Sequence, residues 1–334
     1  MPIRRMLGRG VIALAVLMGI PRGAPAQTPA LAGELVVFNA GSLGLPFRNL
    51  LQAFKKANPG VRTSQESSGS LEAARKLTEL GKIPDVLGVA DYAIIPKLLI
   101  PTHADWFATF VTNALVLAYR NESQGALEIA DYNWYRILLG PGIRTGRADP
   151  ALDPAGYRTL MVWQLAERHY RQPQLATLLK AASPPRFMRP KEADLTALLQ
   201  LGELDYVWTY RSIAQANGFR WLDLPKELNL SDPAMAATYA QATVTLPGAT
   251  RASDSVEFRG EPIVYALTIP RNAPHPEVAE AFVRFVFSPA GQRILRDAGL
   301  LDDVARGGLP ISLATDPSVG VTLRSGASLA GDVI

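Results

Sequence analysis

Three times in this chain a short apolar strand runs into a loop of small polar residues and then into the start of a helix. The strand Glu34–Asn39 meets Ala40-Gly41-Ser42, and a helical pattern covers Pro46 to Ala57. The strand Val61–Glu66 meets Ser67-Ser68-Gly69-Ser70, followed by a helix over Leu71–Leu80. A strand end at Ile143–Gly146 leads to Asp153-Pro154-Ala155-Gly156 and a helix over Arg158–Tyr170. Strands that alternate with helices argue for mostly parallel sheets covered on both faces. Further strands are expected at Asp85–Ala90 (with a helix after it), Asn113–Tyr119, Asp205–Tyr210 and Pro262–Pro270. Further helices are expected at Tyr132–Leu139, Ala193–Leu201, Glu277–Phe287 and Ala290–Ala298. Gln172–Pro190 reads as a polar, proline-bearing connection, and 223–260 as loop-rich. With 334 residues the chain is long enough for two domains, each with its own core. If Asn113–Tyr119 and Pro262–Pro270 both cross between them, one domain is inserted in the other.

The N-terminus has a different character. Residues 1–26 carry Arg4, Arg5 and Arg9, then the apolar run Val11–Ile20, then Ala24-Pro25-Ala26. That is the pattern of a secretory signal peptide cleaved after Ala26. The apolar run is about half the ~20 residues a membrane span needs. The leader also explains the charge. The chain has 34 basic and 30 acidic residues, but four arginines and no acid lie before residue 27. The exported chain is neutral, which removes the electrostatic case for a nucleic-acid partner. At the other end, the segment from Arg306 is rich in Gly, Ser and Pro and reads as a loose tail.

The chain has no cysteine and three histidines. Disulfide scaffolds, thiolate metal sites, iron–sulfur clusters and thiol catalysis are therefore excluded. No nucleophile-elbow, Walker-type or zinc-protease motif occurs. His103, His169 and His275 read as surface or packing residues, so an exported hydrolase using Ser42 or Ser70 would lack a base beside it. The three loop-to-helix starts carry more chemistry. A helix N-terminus presents unpaired N–H groups and a partial positive charge, which favours anions. Glycine permits close backbone approach, and a serine hydroxyl adds a neutral donor. Each segment alone can also be an ordinary N-cap built on Ser42, Ser70 or Asp153, with Pro154 in the first helical position.

Taken together, the motifs resemble those of the tungstate/molybdate-binding proteins of ABC importers. The resemblance lies in Phe38-Asn-Ala-Gly-Ser-Leu43, Glu66-Ser-Ser-Gly-Ser70, Asp85-Val-Leu-Gly-Val-Ala-Asp-Tyr92, Ala104-Asp-Trp106 and Asn113–Tyr119. It continues through Asp153-Pro-Ala-Gly-Tyr-Arg158, Gly202-Glu-Leu-Asp-Tyr206 and Pro262-Ile-Val-Tyr265, in order from about Glu34 to Leu300. It implies a type II periplasmic-binding-protein fold, with two α/β lobes joined by crossing hinge strands. The expected limits are 33–115 and 262–305 for lobe I and 116–261 for lobe II, between the leader 1–26 and the tail 306–334.

The resemblance also implies a ligand set: Gly41 and Ser42, Ser70, Asp153, Pro154 and Ala155, Glu192, and Tyr210. Where the family usually has cysteine in the Asp-Pro-x-Gly-Tyr-Arg motif, this chain has Ala155, whose backbone N–H can serve equally. Asp153 and Glu192 are implied to bond the tungsten or molybdenum centre of the bound oxyanion itself, raising it from four to six oxygen ligands. Without the resemblance, Asp153 reads as an N-cap and Glu192 as a solvated first-turn acid. The function implied is a periplasmic receptor, monomeric and without enzymatic activity or a resident cofactor. It would pass its oxyanion to a membrane permease with a cytoplasmic ATPase. The alternative is the same fold binding another oxyanion, such as sulfate or phosphate.

Overall fold

The computed structural model describes residues 31–247 and 255–301. The leader and the tail from Arg306 lie outside the described residues. In chain order the elements are β1 (Ala32–Ala40), α1 (Gly44–Ala57), β2 (Gly60–Ser68), α2 (Ser70–Thr78), β3 (Val86–Val89), β4 (Ala108–Thr112), β5 (Leu115–Tyr119), α3 (Trp134–Leu138), β6 (Thr145–Ala148), α4 (Pro154–His169) and α5 (Leu175–Ala182). There follow β7 (Met188–Arg189), α6 (Leu195–Gln200), β8 (Tyr206–Tyr210), α7 (Arg211–Ala216), β9 (Arg220–Leu222), α8 (Ala236–Tyr239), β10 (Thr243–Pro247), β11 (Ser255–Arg259), β12 (Val264–Thr268), α9 (Pro276–Phe287) and α10 (Pro289–Asp297).

Two five-stranded sheets organise these elements, in the orders β2-β1-β3-β12-β4 and β7-β6-β8-β5-β9. β4 belongs to the first sheet and β5 to the second, with only Asn113 and Ala114 between them. The chain returns to the first sheet at β12. Each sheet with its helices forms an α/β lobe, as expected for the type II arrangement. The sheets are mixed rather than mostly parallel. β1 runs parallel to β2 and β3, but β12 lies antiparallel between β3 and β4. Likewise β6 is parallel to β7 and β8, while β5 is antiparallel to β8 and β9. The reason is the crossing itself. A strand that arrives from the other lobe has no helix to carry it back to the starting edge, so it enters from the opposite end.

The first lobe packs α1 and α9 against its sheet. Pro46, Phe47, Leu50, Leu51 and Phe54 form one buried stripe of α1 at helical spacing. Phe47 and Phe54 meet Phe282 of α9 edge-on, with ring centroids 6.1 and 5.4 Å apart. The second lobe is centred on Trp208 of β8, which Trp134 and Trp163 approach edge-on at 5.3 and 6.2 Å.

Four local expectations change. Gln172–Pro190 contains a helix, α5, because Leu175 and Leu179 sit one turn apart and bury against α4. The helix expected after β3 is one wide turn, Ile95–Leu99, stopped by Pro101. α4 starts at Pro154, four residues earlier than expected, because Asp153 caps it. Residues 223–260 include the hairpin β10–β11, whose Phe258 stacks on Tyr157 at 5.0 Å.

Candidate functional site

The C-terminal ends of β1, β2 and β3 in one sheet face those of β6 and β8 in the other. A crevice outside the carboxyl ends of strands is where α/β sheets place ligands. All three loop-to-helix segments of the sequence reach this crevice, and the lobes approach each other closely across it. A Cβ on Gly69 would stand 2.2 Å from the carbonyl oxygen of Leu152, so only glycine fits there. The amides of Leu71 and Glu72 both donate to that same oxygen, at 3.1 and 3.2 Å. Lys191 Nζ donates to the carbonyl of Ser67 at 3.0 Å, and Arg75 Nη1 to that of Ala151 at 2.9 Å.

The candidate residues gather behind this seam. Ser42, Ser70, Asp153, Ala155, Glu192 and Tyr210 are all 3 % exposed or less. A cavity of about 340 Å³ opens on the solvent side; of the candidates only Gly41 and Ser42 border it, beside Ser67, Lys191 and Asp194.

Three hydroxyls share one bonding pattern. Ser42 Oγ accepts from the Tyr265 hydroxyl at 2.9 Å. Ser70 Oγ accepts from the Ala90 amide at 3.0 Å. The Tyr210 hydroxyl accepts from Arg158 Nη1 at 2.8 Å. A hydroxyl has one proton to give. Each of these oxygens is fixed by a bond it accepts, so each is free to donate its own proton. Burial pushes the Tyr210 hydroxyl well above its usual range, and Arg158 opposes this. Tyr210 therefore stays protonated and remains a donor. Neither serine is an N-cap. Ser70 is the first residue of α2 after Gly69, and no side chain caps the helical turn at Gly41–Leu43.

The two acids differ from the hydroxyls. Asp153 does cap α4, accepting from the Ala155 amide at 2.7 Å. That amide is thus engaged by Asp153 rather than left for a ligand, and Pro154 has no N–H, so the Asp-Pro-Ala stretch offers fewer backbone donors than the sequence implied. Glu192 is not solvated. It is 1 % exposed, in a helical turn over Glu192–Asp194. A Cβ on Gly41 would lie 3.3 Å from Glu192 Oε2 and 3.4 Å from Oε1. Neither carboxylate oxygen of Glu192 receives a hydrogen bond from the described residues. Its polar neighbour Asp153 is another acceptor, which can bond it only when protonated. Burial, then the charge of Glu192, hold the Asp153 carboxyl well above the usual carboxylate range. Such a pair costs free energy unless a cation, a proton or a metal centre meets it.

The eight candidates that the resemblance implied lie near one another, and their supports come from residues outside that set. Arg158, Tyr265 and Lys191 face the crevice with polar atoms that either fix a candidate or join the lobes. Asn113, at the crossing, donates to Ser212 Oγ at 2.8 Å and to the Tyr265 hydroxyl at 3.2 Å, which ties the hinge to Ser42. Arg158 carried a weak signal, since it lies four residues after Pro154, on the same face of α4.

Residues 35–301 match the model of the family described as bacterial extracellular solute-binding protein. The chain belongs to that family. It is 43% identical over 269 residues to an uncharacterized solute-binding protein of Petrotoga mobilis, covering 80% of this chain and 84% of that one. It is 34% identical over 320 residues to the molybdate/tungstate-binding protein WtpA of Pyrococcus abyssi, covering 87% of this chain and 92% of that one. Among solved structures, the sulfate-binding protein SubI of Mycobacterium tuberculosis H37Rv superposes with a TM-score of 0.56 at 13% identity, covering 81% and 88% of the two chains. At that identity the likeness concerns the two-lobe fold and leaves the ligand open.

Proposed function

We propose that this chain is the extracytoplasmic receptor of an ABC importer, capturing tungstate or molybdate between its lobes. The observation that carries the reading is the gathering of the Ser42, Ser70 and Tyr210 hydroxyls with two buried carboxylates, of which Glu192 receives no hydrogen bond from the described residues. A tetrahedral oxyanion accepts hydrogen bonds and donates none, which suits Ser42, Ser70 and Tyr210. The carboxylates would repel an ordinary dianion. At ~4 Å and an effective dielectric near 20, each pair of unit like charges costs roughly 4 kcal/mol. A hexavalent metal reverses that sign, because hard carboxylate oxygens can bond the metal itself and complete six ligands. The sulfur of sulfate offers no such positions. Asp153 and Glu192 therefore select against the commoner anion by repelling it. The name carried by the Pyrococcus abyssi relative supports the same ligands.

In this reading Gly41 lets Glu192 approach, and Pro154 and Ala155 shape the wall from which Asp153 projects. The moving parts are the two lobes, expected at 33–115 with 262–305 and at 116–261, although strand β5 of the second sheet already begins at Leu115. Residues 1–26 act as the export signal, the mature protein works as a periplasmic monomer without catalysis, and the partner is a permease with a cytoplasmic ATPase. Calorimetric titration of the mature chain at neutral pH tests the reading. Molybdate and tungstate should each bind with one-to-one stoichiometry, and an excess of sulfate should not displace them. Absence of heat with both metal oxyanions, or displacement by sulfate, would overturn it.

A further inference from the structure

A second set of buried charged groups lies across the lobes, on the far side of the same helical turn. Tyr157 and Arg158 leave α4 directly behind Asp153-Pro154-Ala155. Both reach the first lobe at the end of β3. Arg158 Nη1 donates to the carbonyl of Ala90 at 2.7 Å, and Nη2 lies 3.3 Å from Asp91 Oδ2. The Tyr157 hydroxyl donates to that same carboxylate oxygen. All of it is out of water: Arg158 is 2 % exposed, Asp91 3 % and Tyr157 1 %. Within its own lobe, Asp91 is held by a bond from the Ala93 amide to Oδ1 at 3.0 Å. Its Oδ2 is aimed at the other lobe. Nearby, the Tyr92 hydroxyl donates to Glu261 at 2.5 Å, so the rim of this socket is acidic as well.

Arg158 is at once the donor that fixes the Tyr210 hydroxyl at the candidate site and the cation that enters the socket of the opposite lobe. One side chain thus touches both events. Burial alone would lower its affinity for its proton, but Tyr210, Asp91 and Tyr157 outweigh that, so it keeps its charge. A guanidinium drawn out of water with a carboxylate gains from the contact only when the two lobes are together. If they part, Arg158 and Asp91 both return to water.

We infer that Arg158 and Asp91 form an interlobe clasp that couples oxyanion capture to closure, with Arg158 as the positioning residue that aligns Tyr210 only when Asp91 receives it. This rests on the receptor reading above. The clasp holds the closed form, so it controls release rather than encounter. Mutating one partner of a buried, hydrogen-bonded charge pair acts chiefly on the off-rate.

The test uses Asp91→Asn and Tyr157→Phe in the full mature chain, neither residue being a candidate ligand. The first substitution retains the side-chain oxygen that accepts from the Ala93 amide, and the second removes only a hydroxyl. For each protein, molybdate association and release are followed by stopped-flow, and the melting temperature of the ligand-free protein is recorded. For Asp91→Asn, release should be ~10-fold faster or more, with association unchanged and the ligand-free melting temperature unmoved, because the clasp bears on ligand release rather than on the fold of either lobe. Tyr157→Phe should shift release the same way by less. Unchanged release, or a fall in ligand-free melting temperature that accompanies the loss of affinity, would overturn the clasp and leave the cluster a fold support. If the unmutated chain binds neither molybdate nor tungstate, the receptor reading itself fails, and the clasp fails with it.

Discussion

At the scale of single residues, the site depends on which way each polar atom is already committed. Ser42, Ser70 and Tyr210 each accept one fixed bond and keep a proton to give. Tyr210→Phe removes one such proton while leaving the ring packed. A hydrogen bond to a charged partner contributes about 1.5–3 kcal/mol, so the molybdate Kd should rise ~10- to 100-fold. Calorimetry on the variant checks this, and an unchanged Kd would remove Tyr210 from the ligand set. Asp153 gives a pH signature. Its carboxyl is raised in the folded, ligand-free protein by burial and by Glu192. A group raised on folding stabilises fully below its unfolded pKa, and that contribution is lost as pH rises through the folded value. Compared with Asp153→Asn, the ligand-free protein should therefore lose stability as pH climbs from about 4 upward. Urea midpoints of the two proteins across pH should diverge in that sense; parallel curves would contradict it. The residue types were legible in the sequence, but their assignment to one site came from what the family resemblance implies. What was not legible is the direction of each bond, because Tyr265, Ala90 and Arg158 come from other elements.

At the scale of elements, legibility followed the strength of the local pattern. The apolar strands around Val37, Val89 and Val207 and the amphipathic α1 and α9 stand where sequence placed them. α5 was hidden because its surroundings are polar and proline-bearing and its apolar face is only two residues wide. Leu179 is nevertheless 2 % exposed and anchors α5 on α4. Leu179→Ala should cost about 2–5 kcal/mol of stability. Because α4 carries the cap at Asp153 from its own first turn, molybdate affinity should stay close to that of the unmutated chain. Thermal unfolding paired with calorimetry separates the two, and equal losses in both would show that α5 shapes the site. The mixed direction of the sheets was also beyond local pattern, since only the crossings at Asn113–Ala114 and before β12 decide it.

At the scale of the whole molecule, the two lobes meet along a seam that includes Leu152 with α2, Lys191 with Ser67, Arg75 with Ala151, and Tyr157 and Arg158 with Asp91. Ligand can shift the lobes toward closure only by its greater affinity for the closed form. In this account that affinity comes from hydroxyl protons on the oxygens and from two carboxylates on the metal. Sequence made the two-lobe plan readable through motif order. That Asp153 and Glu192 converge was implied by the resemblance alone, because they lie on segments 39 positions apart. The most direct measurement is X-ray absorption at the molybdenum edge of the protein loaded with molybdate and freed of excess. Retained molybdenum with six oxygen neighbours is expected, two of them lost in the Asp153→Asn, Glu192→Gln double variant. Retained molybdenum with four oxygens and the spectrum of free molybdate would contradict it.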